Sequence, residues 1–243
     1  MTTRAQFIQR VRREMAKSRG LFPATVAERP ADPGALAEAI RRQLAERWPQ
    51  ALERFREEVV QVGGVFYRVN MVHEVPALIG RIAKEREARR VITWAPSVLS
   101  SGLATRLRAE GLEVTEESSD ATGEEARARF RQARAQAEIG VTGVDLAVAE
   151  TGSLVVISAE GKARSASLLP PYHVAIFGKD ALVESHEQVG VIFEAIHREP
   201  ELSRLGASIT FITGPSRTAD IELTLTRGVH GPKEVHAVFV ESL

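Results

Sequence analysis

Apolar side chains in the first part of the chain recur at the spacing of one helical face. In the N-terminal segment they fall on one side of a helix, and a proline-rich stretch over 21–34 then predicts a linker. The pair Asp32–Pro33 is typical of a helix start. Apolar residues then follow at three- or four-residue spacing: Leu36, Ile40, Leu44, Trp48, Leu52, Phe55 and Val59. We therefore expect residues 1–60 to form an N-terminal helical arm.

Beyond this arm the pattern changes to short apolar runs that alternate with helical stripes. Runs at 65–70, 91–95 and 112–115 predict strands, and apolar residues at helical spacing lie between them and near 124–137. Strands that alternate with helices in this way are typical of βαβ units on a parallel sheet. The sequence therefore predicts an α/β domain over residues 61–243.

From Gly140 onward the strands follow one another more closely. The apolar runs Asp145–Ala149 and Ser153–Ser158 are separated by one short turn, which predicts a β-hairpin. A helix is expected at Val189–His197, where apolar residues recur at helical spacing. Further strands are expected at 174–177, 181–183, 208–213 and 235–240. Together these elements indicate a mixed sheet with helices on both faces.

The charge balance and the absence of cysteine argue against several classes of function. The 243 residues contain 32 basic and 32 acidic side chains, which argues against binding a nucleic acid by bulk charge. Because cysteine is absent, the chain can form no disulfide, no cysteine nucleophile and no cysteine-ligated iron–sulfur cluster. Electrons in any redox reaction would have to be carried by a small cofactor or by another chain. No apolar run approaches the roughly 20 residues of a membrane span.

The N-terminal segment allows two interpretations. Residues 1–20 carry six basic side chains and one acidic side chain, and their apolar residues share one helical face. An organellar presequence has this character, and so does a surface helix that docks by its apolar stripe. The segment is not enriched in serine and the whole chain is rich in arginine, which favours the surface helix.

The first candidate site is the run Gly214–Glu222, which directly follows a predicted strand. Ligands of open α/β sheets bind beyond the carboxyl ends of strands, commonly where a loop leads into a helix. Ser216 or Thr218 would cap such a helix, and its free backbone N–H groups together with Arg217 would suit a carboxylate or phosphate. Alternation of apolar and polar residues over 221–226 instead indicates a strand, and a tight turn with a surface arginine is the alternative interpretation.

The second candidate is the loop Gly228–Pro232, in which two glycines and a proline surround His230. An imidazole held in this way can act as a general acid or base near neutral pH. A hydrogen-bonded structural histidine is the alternative. Asp220 and Glu222 lie nearby in sequence, but their spacing matches no standard metal-ligand pattern.

The third candidate is the turn Ala149–Ser153. Thr151 and Gly152 would expose backbone amides at a strand end, and Glu150 is an acid beside them that could serve as nucleophile, base or plain turn residue. Further on, two prolines stiffen the entry to the strand at 174–177, and His173 is expected to point into the same cleft.

Several common motifs are absent from the sequence. It contains no GxxxxGK[ST] phosphate loop, no GxGxxG fingerprint, no HExxH and no GxSxG. The residues by themselves thus predict an α/β protein with a small-anion cleft and leave the reaction open.

A set of segments makes the sequence resemble the LUD-domain family. The segments are Ala149–Ser153, Arg164, Leu168–Pro170, Gly214–Glu222 and Gly228–Pro232. Their glycine, proline and hydroxyl spacing is specific as a set, and the resemblance covers roughly residues 60–243.

This resemblance implies a layered α/β/α fold similar to the sugar-phosphate isomerase and CoA-transferase superfamily. It also implies a cytoplasmic role in oxidising L-lactate to pyruvate with two companion proteins, one or both of which carry iron–sulfur clusters. The absence of cysteine agrees with clusters on the partners. An assembly or regulatory subunit, or an independent enzyme acting on a phosphorylated or acyl-CoA metabolite, are the alternatives.

Physical reasoning placed on the family's motif positions gives the candidate residues. We assign neither metal ligands nor a cofactor to this chain and expect no nucleic-acid partner; the oligomeric state and any metal requirement stay open. The expected catalytic residues are Glu150, Asp220 and His230, and the expected ligand contacts are Thr151, Gly152, Gly214, Ser216, Arg217 and Thr218.

Overall fold

The computed structural model describes residues 3–17, 30–96, 99, 102–118, 123–198, 205–219 and 225–242. The helices in these ranges are α1 (Arg4–Lys17), α2 (Pro33–Gln61), α3 (Val75–Glu85), α4 (Leu103–Ala109), α5 (Glu124–Gln136), α6 (Ser165–Leu168) and α7 (His186–Arg198). No helix in the described part of the chain is both long enough and apolar enough to cross a membrane.

The described strands form three sheets. A six-stranded sheet has the order β1 (Val65–Met71), β12 (Glu234–Ser242), β7 (Tyr172–Phe177), β4 (Ile139–Gly143), β2 (Arg90–Thr93) and β3 (Glu113–Glu116). A four-stranded sheet has the order β8 (Leu182–Val183), β5 (Leu146–Val148), β6 (Ser153–Ala159) and β9 (Leu205–Ile212). The third is the pair β10 (Arg217–Ala219) and β11 (Leu225–Arg227).

Every pairing within the six-stranded sheet is parallel, and the β5–β6 hairpin is antiparallel. The prediction of an α/β fold with a mostly parallel sheet and flanking helices is therefore confirmed. Likeness to the CoA-transferase superfamily stays a prediction.

Helix α2 begins where the sequence predicts and packs into the main core. The Asp32 carboxylate accepts a hydrogen bond from the Ala35 backbone N–H at 3.0 Å, and Pro33 occupies the first turn. Phe55 and Val59 are fully buried, and each contributes about 1.5–3 kcal/mol of hydrophobic stabilisation. They share one apolar cluster with the four-stranded sheet and one face of the six-stranded sheet. The boundary near residue 60 between arm and domain stays a prediction.

The six-stranded sheet has two edges that matter for function. At its amino edge, β1 and β12 begin beside Gly64 and Pro232. At its carboxyl edge, β4, β7 and β12 end near Gly143, Phe177 and Ser242. With nine residues in β12 at about 3.3 Å each, the two edges are roughly 25–30 Å apart.

The structure corrects two local predictions. Residues 217–219 form strand β10, which pairs antiparallel with β11, so the helix expected after Gly214 is wrong for these residues. Pairing with β11, together with the alternating pattern, makes this segment a strand, although the hydroxyls of Ser216 and Thr218 could have capped a helix.

His173 does not point into a cleft, because it lies inside β7 with no exposed surface. Its ring Nε2 is hydrogen-bonded to Thr142 Oγ1 at 2.8 Å. Burial lowers the pKa of His173 to about 3, with a further contribution from nearby His236. The imidazole is therefore neutral and structural over the whole physiological range.

Candidate functional site

Two glycine turns place the predicted site residues against the C-terminal end of α2. Gly152 has φ +62°, and a Cβ there would lie 2.4 Å from the Val59 backbone nitrogen. Gly214 has φ +73°, and a Cβ there would lie 2.5 Å from the Val62 carbonyl oxygen. Only glycine tolerates both the left-handed backbone and this close approach. The turns that hold the first and third candidate segments therefore meet at the amino edge of the six-stranded sheet.

We call the side chains gathered here the amino-edge cluster. It consists of Glu150, Thr151, Ser153, His186, Thr213 and Arg217. The Gly214 loop follows the carboxyl end of β9, as expected, but β9 belongs to the four-stranded sheet and ends beside Val62, which precedes β1. The loop therefore lies at the amino edge of the six-stranded sheet.

Three hydroxyl groups form a hydrogen-bonded row in the cluster. Ser153 Oγ lies 2.8 Å from Thr151 Oγ1 and 2.7 Å from Thr213 Oγ1. Ser153 is only 2% exposed, whereas Thr213 is exposed. Because two bonds join three hydroxyls, one hydroxyl hydrogen is left over and can be donated to a ligand at the exposed end of the row.

Glu150 and His186 form a carboxylate–histidine pair at the start of α7. Glu150 Oε1 accepts hydrogen bonds from the His186 backbone N–H at 2.6 Å and from ring Nδ1 at 2.7 Å. The pKa of Glu150 is lower than its usual value, mainly because of the hydrogen bond from the His186 backbone N–H and secondly because of the bond from the His186 ring. With Nδ1–H directed at the carboxylate, Nε2 of the neutral ring is the proton-accepting nitrogen. The pair therefore has the geometry of an oriented general base.

Sequence reasoning missed His186. It lies 36 residues beyond Glu150 and precedes the predicted helix Val189–His197 by three positions, so no local spacing connects the two. Its ring also stacks on Phe211, with centroids 5.8 Å apart and planes 22° apart. A histidine shortly before a predicted helix was the only signal available in the sequence.

Arg217 donates one hydrogen bond within the protein. Its Nη2 donates a hydrogen bond to the Val62 carbonyl oxygen at 2.6 Å. Val62 is the C-cap of α2, where a cation is favoured by the partial negative charge of the helix end. The side chain is exposed, and the other guanidinium N–H groups have no partner in the described residues. Arg217 is thus positioned both to close the helix and to bind an anion.

Ser216 and the loop Gly228–Pro232 pack together. The Ser216 backbone N–H donates to the Pro232 carbonyl at 2.8 Å, and its carbonyl accepts from the Gly228 N–H at 3.0 Å. A Cβ on Gly231 would lie 3.3 Å from Ser216 Cβ. The Ser216 amide is therefore engaged and not free for an anion. His230 lies exposed on this loop, and its catalytic role stays a prediction.

The remaining candidates are only partly visible. Thr218 lies in β10, its side chain is outside the described residues, and Asp220 lies outside them altogether. In the part of the chain that the structure describes, no three histidine, aspartate or glutamate side chains converge as metal ligands would.

A cleft of about 620 Å³ opens at the opposite, carboxyl edge of the sheet. We call it the carboxyl-edge cleft; its lining includes Gly143, Asp145, Phe177, Lys179, Asp180 and Glu241. Cavities of this size commonly hold small molecules. Sequence reasoning missed this cleft, because its residues come from the ends of four separate strands, β2, β4, β7 and β12, and share no motif.

Two acids of the cleft are neutralised by bases of the protein. Asp145 binds the Lys162 ammonium at 2.5 Å and accepts a hydrogen bond from the Ile157 backbone N–H at 2.7 Å. Glu241 is paired with Arg68. The side chains of Lys179 and Asp180 have no ion-pair or hydrogen-bond partner in the described ranges. They are the charges that the cleft presents to a ligand.

Comparisons with known proteins give a consistent family. A family model described as the LUD domain matches residues 52–240. Lactate utilization protein C of Halalkalibacterium halodurans is 39% identical over 172 residues, which is 70% of either chain. The protein of the same name from Exiguobacterium is 29% identical over all of this chain and 98% of its own length.

Two further similarities are more limited. Lactate utilization protein B of Shouchella clausii is 32% identical over 48% of this chain and 23% of its own length. A crystal structure of a DUF162 family protein from Deinococcus radiodurans superposes with a TM-score of 0.54 at 20% identity, covering 79% of this chain and 98% of that one. This structural similarity supports the fold.

Proposed function

Because the chain belongs to the LUD domain family, we propose that it works in lactate utilisation as the component that binds a small organic anion, L-lactate or pyruvate. The observation that carries the proposal is similarity along the whole chain to a lactate utilization protein C. The amino-edge cluster supports it, because it places an arginine, a hydroxyl row and a carboxylate–histidine pair around one helix end.

Partner proteins supply the redox chemistry in this proposal. Relatives over about half of this chain include lactate utilization protein B and an Escherichia coli protein described as the uncharacterized electron transport protein YkgF. A chain without cysteine cannot ligate a cluster by thiolates, so iron–sulfur clusters would belong to such partners. The complex would act in the cytoplasm.

Arg217 is the proposed anchor for the substrate carboxylate. A guanidinium is planar and can bind a carboxylate with two parallel hydrogen bonds, and one of its five N–H groups is used by Val62. Exposed Thr213 lies four residues earlier and can add the hydroxyl hydrogen that the row leaves over. The backbone amide of Ser216 is excluded from this role by its bond to Pro232.

Oxidation of L-lactate to pyruvate removes two electrons and two protons. The hydroxyl proton passes to a histidine, the Cα–H bond breaks, and its hydrogen leaves with both electrons as a hydride to a partner's cofactor. His186 is oriented for this by Glu150, and His230 is the alternative acceptor. The structure thus adds a second candidate base to the one expected from sequence.

A growth experiment tests the role in lactate utilisation. Cells that lack the gene should fail to grow on L-lactate as sole carbon source and should grow normally on pyruvate, since only the oxidation step is lost. Unimpaired growth on L-lactate would overturn the proposal. Complementation with the His186→Ala and His230→Ala variants then identifies the acceptor, because only loss of the true base prevents growth.

A thermal-shift experiment tests the anion site. A ligand at a hundredfold excess over its dissociation constant stabilises a protein by about 2.7 kcal/mol, which raises the melting temperature measurably. Lactate or pyruvate should stabilise the native chain and not the Arg217→Gln variant. Arg198→Gln is the matched control, because Arg198 also donates to backbone carbonyls, those of Ala31 and Pro30. Equal ligand shifts in both variants would place the anion elsewhere.

One observation favours the assembly subunit as a second candidate. Helix α1 exposes Phe7 (61%) and Ile8 on a strongly basic helix. Apolar side chains exposed beside one another mark a docking surface. If α1 binds the partner proteins, Phe7→Ser with Ile8→Ser should abolish co-purification with them and leave the lactate-dependent thermal shift intact. Undiminished co-purification would exclude this role for α1.

A further inference from the structure

We propose that the carboxyl edge of the six-stranded sheet carries a second ligand site, which takes an organic anion with a flat ring system. The site combines the carboxyl-edge cleft with a smaller pocket of about 180 Å³ that shares Lys179 and Asp180 with it. It lies at the opposite end of the sheet from the amino-edge cluster, so it is independent of the proposed function.

The topology of the sheet supports this location. Strands β2 and β4 are neighbours, but the chain leaves them in opposite directions: β2 leads to β3 on one side, and β4 leads, through the β5–β6 hairpin and α6, to β7 on the other. Such a switch point leaves a crevice at the carboxyl ends of the two strands, where parallel sheets bind their ligands. Leu99, which follows β2, and Gly143, at the end of β4, both line the cleft.

The smaller pocket has the character of a ring-binding site. Leu44, Trp48 and Leu182 supply apolar walls. The indole of Trp48 is held by stacking on Phe239, with centroids 5.6 Å apart, and by the Arg68 guanidinium 5.9 Å from its ring centre. A cavity of roughly 150 Å³ with apolar walls accepts one small ring. A rigid aromatic wall of this kind favours a planar group.

The uncompensated charges at this site favour an anion. Arg41, on the rim of the smaller pocket, and Lys179, between the two cavities, have no ion-pair partner among the described residues. Asp180 is likewise unpaired, whereas Asp145 and Glu241 are each bound to a base. Two free cations against one free acid attract a phosphate or carboxylate, and both side chains donate well to such groups.

Calorimetric titration of the intact chain with AMP and with FMN tests the site. Both probes join a planar ring to a phosphate, and they differ in ring size. At least one should bind at least about tenfold more tightly than inorganic phosphate, which lacks the ring, or adenosine, which lacks the phosphate. Binding of AMP alone would identify a ring of purine size, and binding of FMN alone a larger one. Failure of both would overturn the proposal.

Charge variants locate the bound probe. Arg41→Gln and Lys179→Gln should each weaken binding about tenfold or more, and Asp180→Asn should leave it equal or tighter. Arg42→Gln is the matched control, because Arg42 is the next residue on α2, is exposed and lines neither cavity. Affinity unchanged in both Arg41→Gln and Lys179→Gln would overturn the proposal. Arg217→Gln should bind the probes normally, which separates this site from the anion site at the amino edge.

Discussion

In the amino-edge cluster, most polar side chains are already bonded to the protein, whereas the carboxyl-edge cleft keeps two charges free. Glu150 accepts a hydrogen bond from the backbone at the start of α7, and Ser153 is hydrogen-bonded to two threonine hydroxyls. Arg217 donates to the carbonyl at the C-terminal end of α2. The side chains of Lys179 and Asp180 have no hydrogen-bond or ion-pair partner within the described residues. Polar groups of the cluster therefore hold the fold together as well as facing a ligand. Substitutions there should cost stability, and substitutions in the cleft should cost binding.

Substitutions of glycine should give the largest difference in the free energy of unfolding between the two regions. Gly152→Val introduces a branched side chain at positive φ and 2.4 Å from backbone of α2, so we expect a loss of about 3–5 kcal/mol in the free energy of unfolding. Gly143→Ala in the cleft is the control. Its Cβ would lie 3.4 Å from the Trp94 ring, an ordinary contact, and should cost less than about 1.5 kcal/mol. Urea denaturation measures both, and similar losses would contradict the contrast.

The hydroxyl row should be the next most sensitive feature. Ser153→Ala removes the central group and leaves two threonine hydroxyls without their partner, at a cost of about 1–3 kcal/mol. Thr213→Ala removes only the exposed end, leaves the Thr151 bond intact and should cost about 0.5–1.5 kcal/mol. Thermal or urea unfolding distinguishes them. A larger loss for Thr213 would show that the row is not organised around Ser153.

Glu150 should make the cluster sensitive to acid. Its pKa is lower in the folded chain than in the unfolded one, so its contribution is complete above the unfolded pKa, about 4.3, and disappears as the pH falls through the folded pKa. Glu150→Gln should cost about 0.5–1 kcal/mol at pH 7 and less at pH 3, because the carboxylate becomes protonated as the pH falls. Unfolding curves at both pH values measure this. The control is Glu187→Gln, which removes another carboxylate from the first turn of α7. An equal loss in the control at pH 7 would show that the bonds to His186 are not the cause.

The smallest stability effect is expected in the cleft. Lys179→Gln should change the free energy of unfolding by less than about 0.5 kcal/mol, because the side chain is exposed and makes no bond within the described residues. A loss above about 1 kcal/mol would show that Lys179 supports the fold, and the contrast between the two regions would fail.

Much of the fold could be predicted from the sequence, because apolar periodicity reports directly which face of each element is buried. The start of α2 at Asp32 and the β5–β6 hairpin both follow from local residues. The segment after Gly214 could not be predicted in this way, because its hydroxyl residues indicate the start of a helix while its alternating pattern indicates a strand. Its pairing with β11 decided the outcome.

The site was harder to predict than the fold, because distance in sequence conceals contacts in space. Glu150 and Arg217 were both singled out by their local turns, but their partners His186 and Val62 lie far away along the chain. No sequence motif predicts the carboxyl-edge cleft, because its lining residues come from the ends of four strands that are far apart in the sequence. Only the order of strands in the sheet brings these residues together.

The pairing of β1 with β12 has a consequence for how the protein is made. Among the described strands, β1 is an edge strand with one neighbour in its sheet, β12. This neighbour is synthesised 163 or more residues later, since β1 ends at Met71 and β12 begins at Glu234. At about 5–20 residues per second, the ribosome leaves β1 unpaired for roughly 10–30 s. During that interval a chaperone, or a neighbouring nascent chain, has access to an open strand that the finished protein keeps covered on one side by β12.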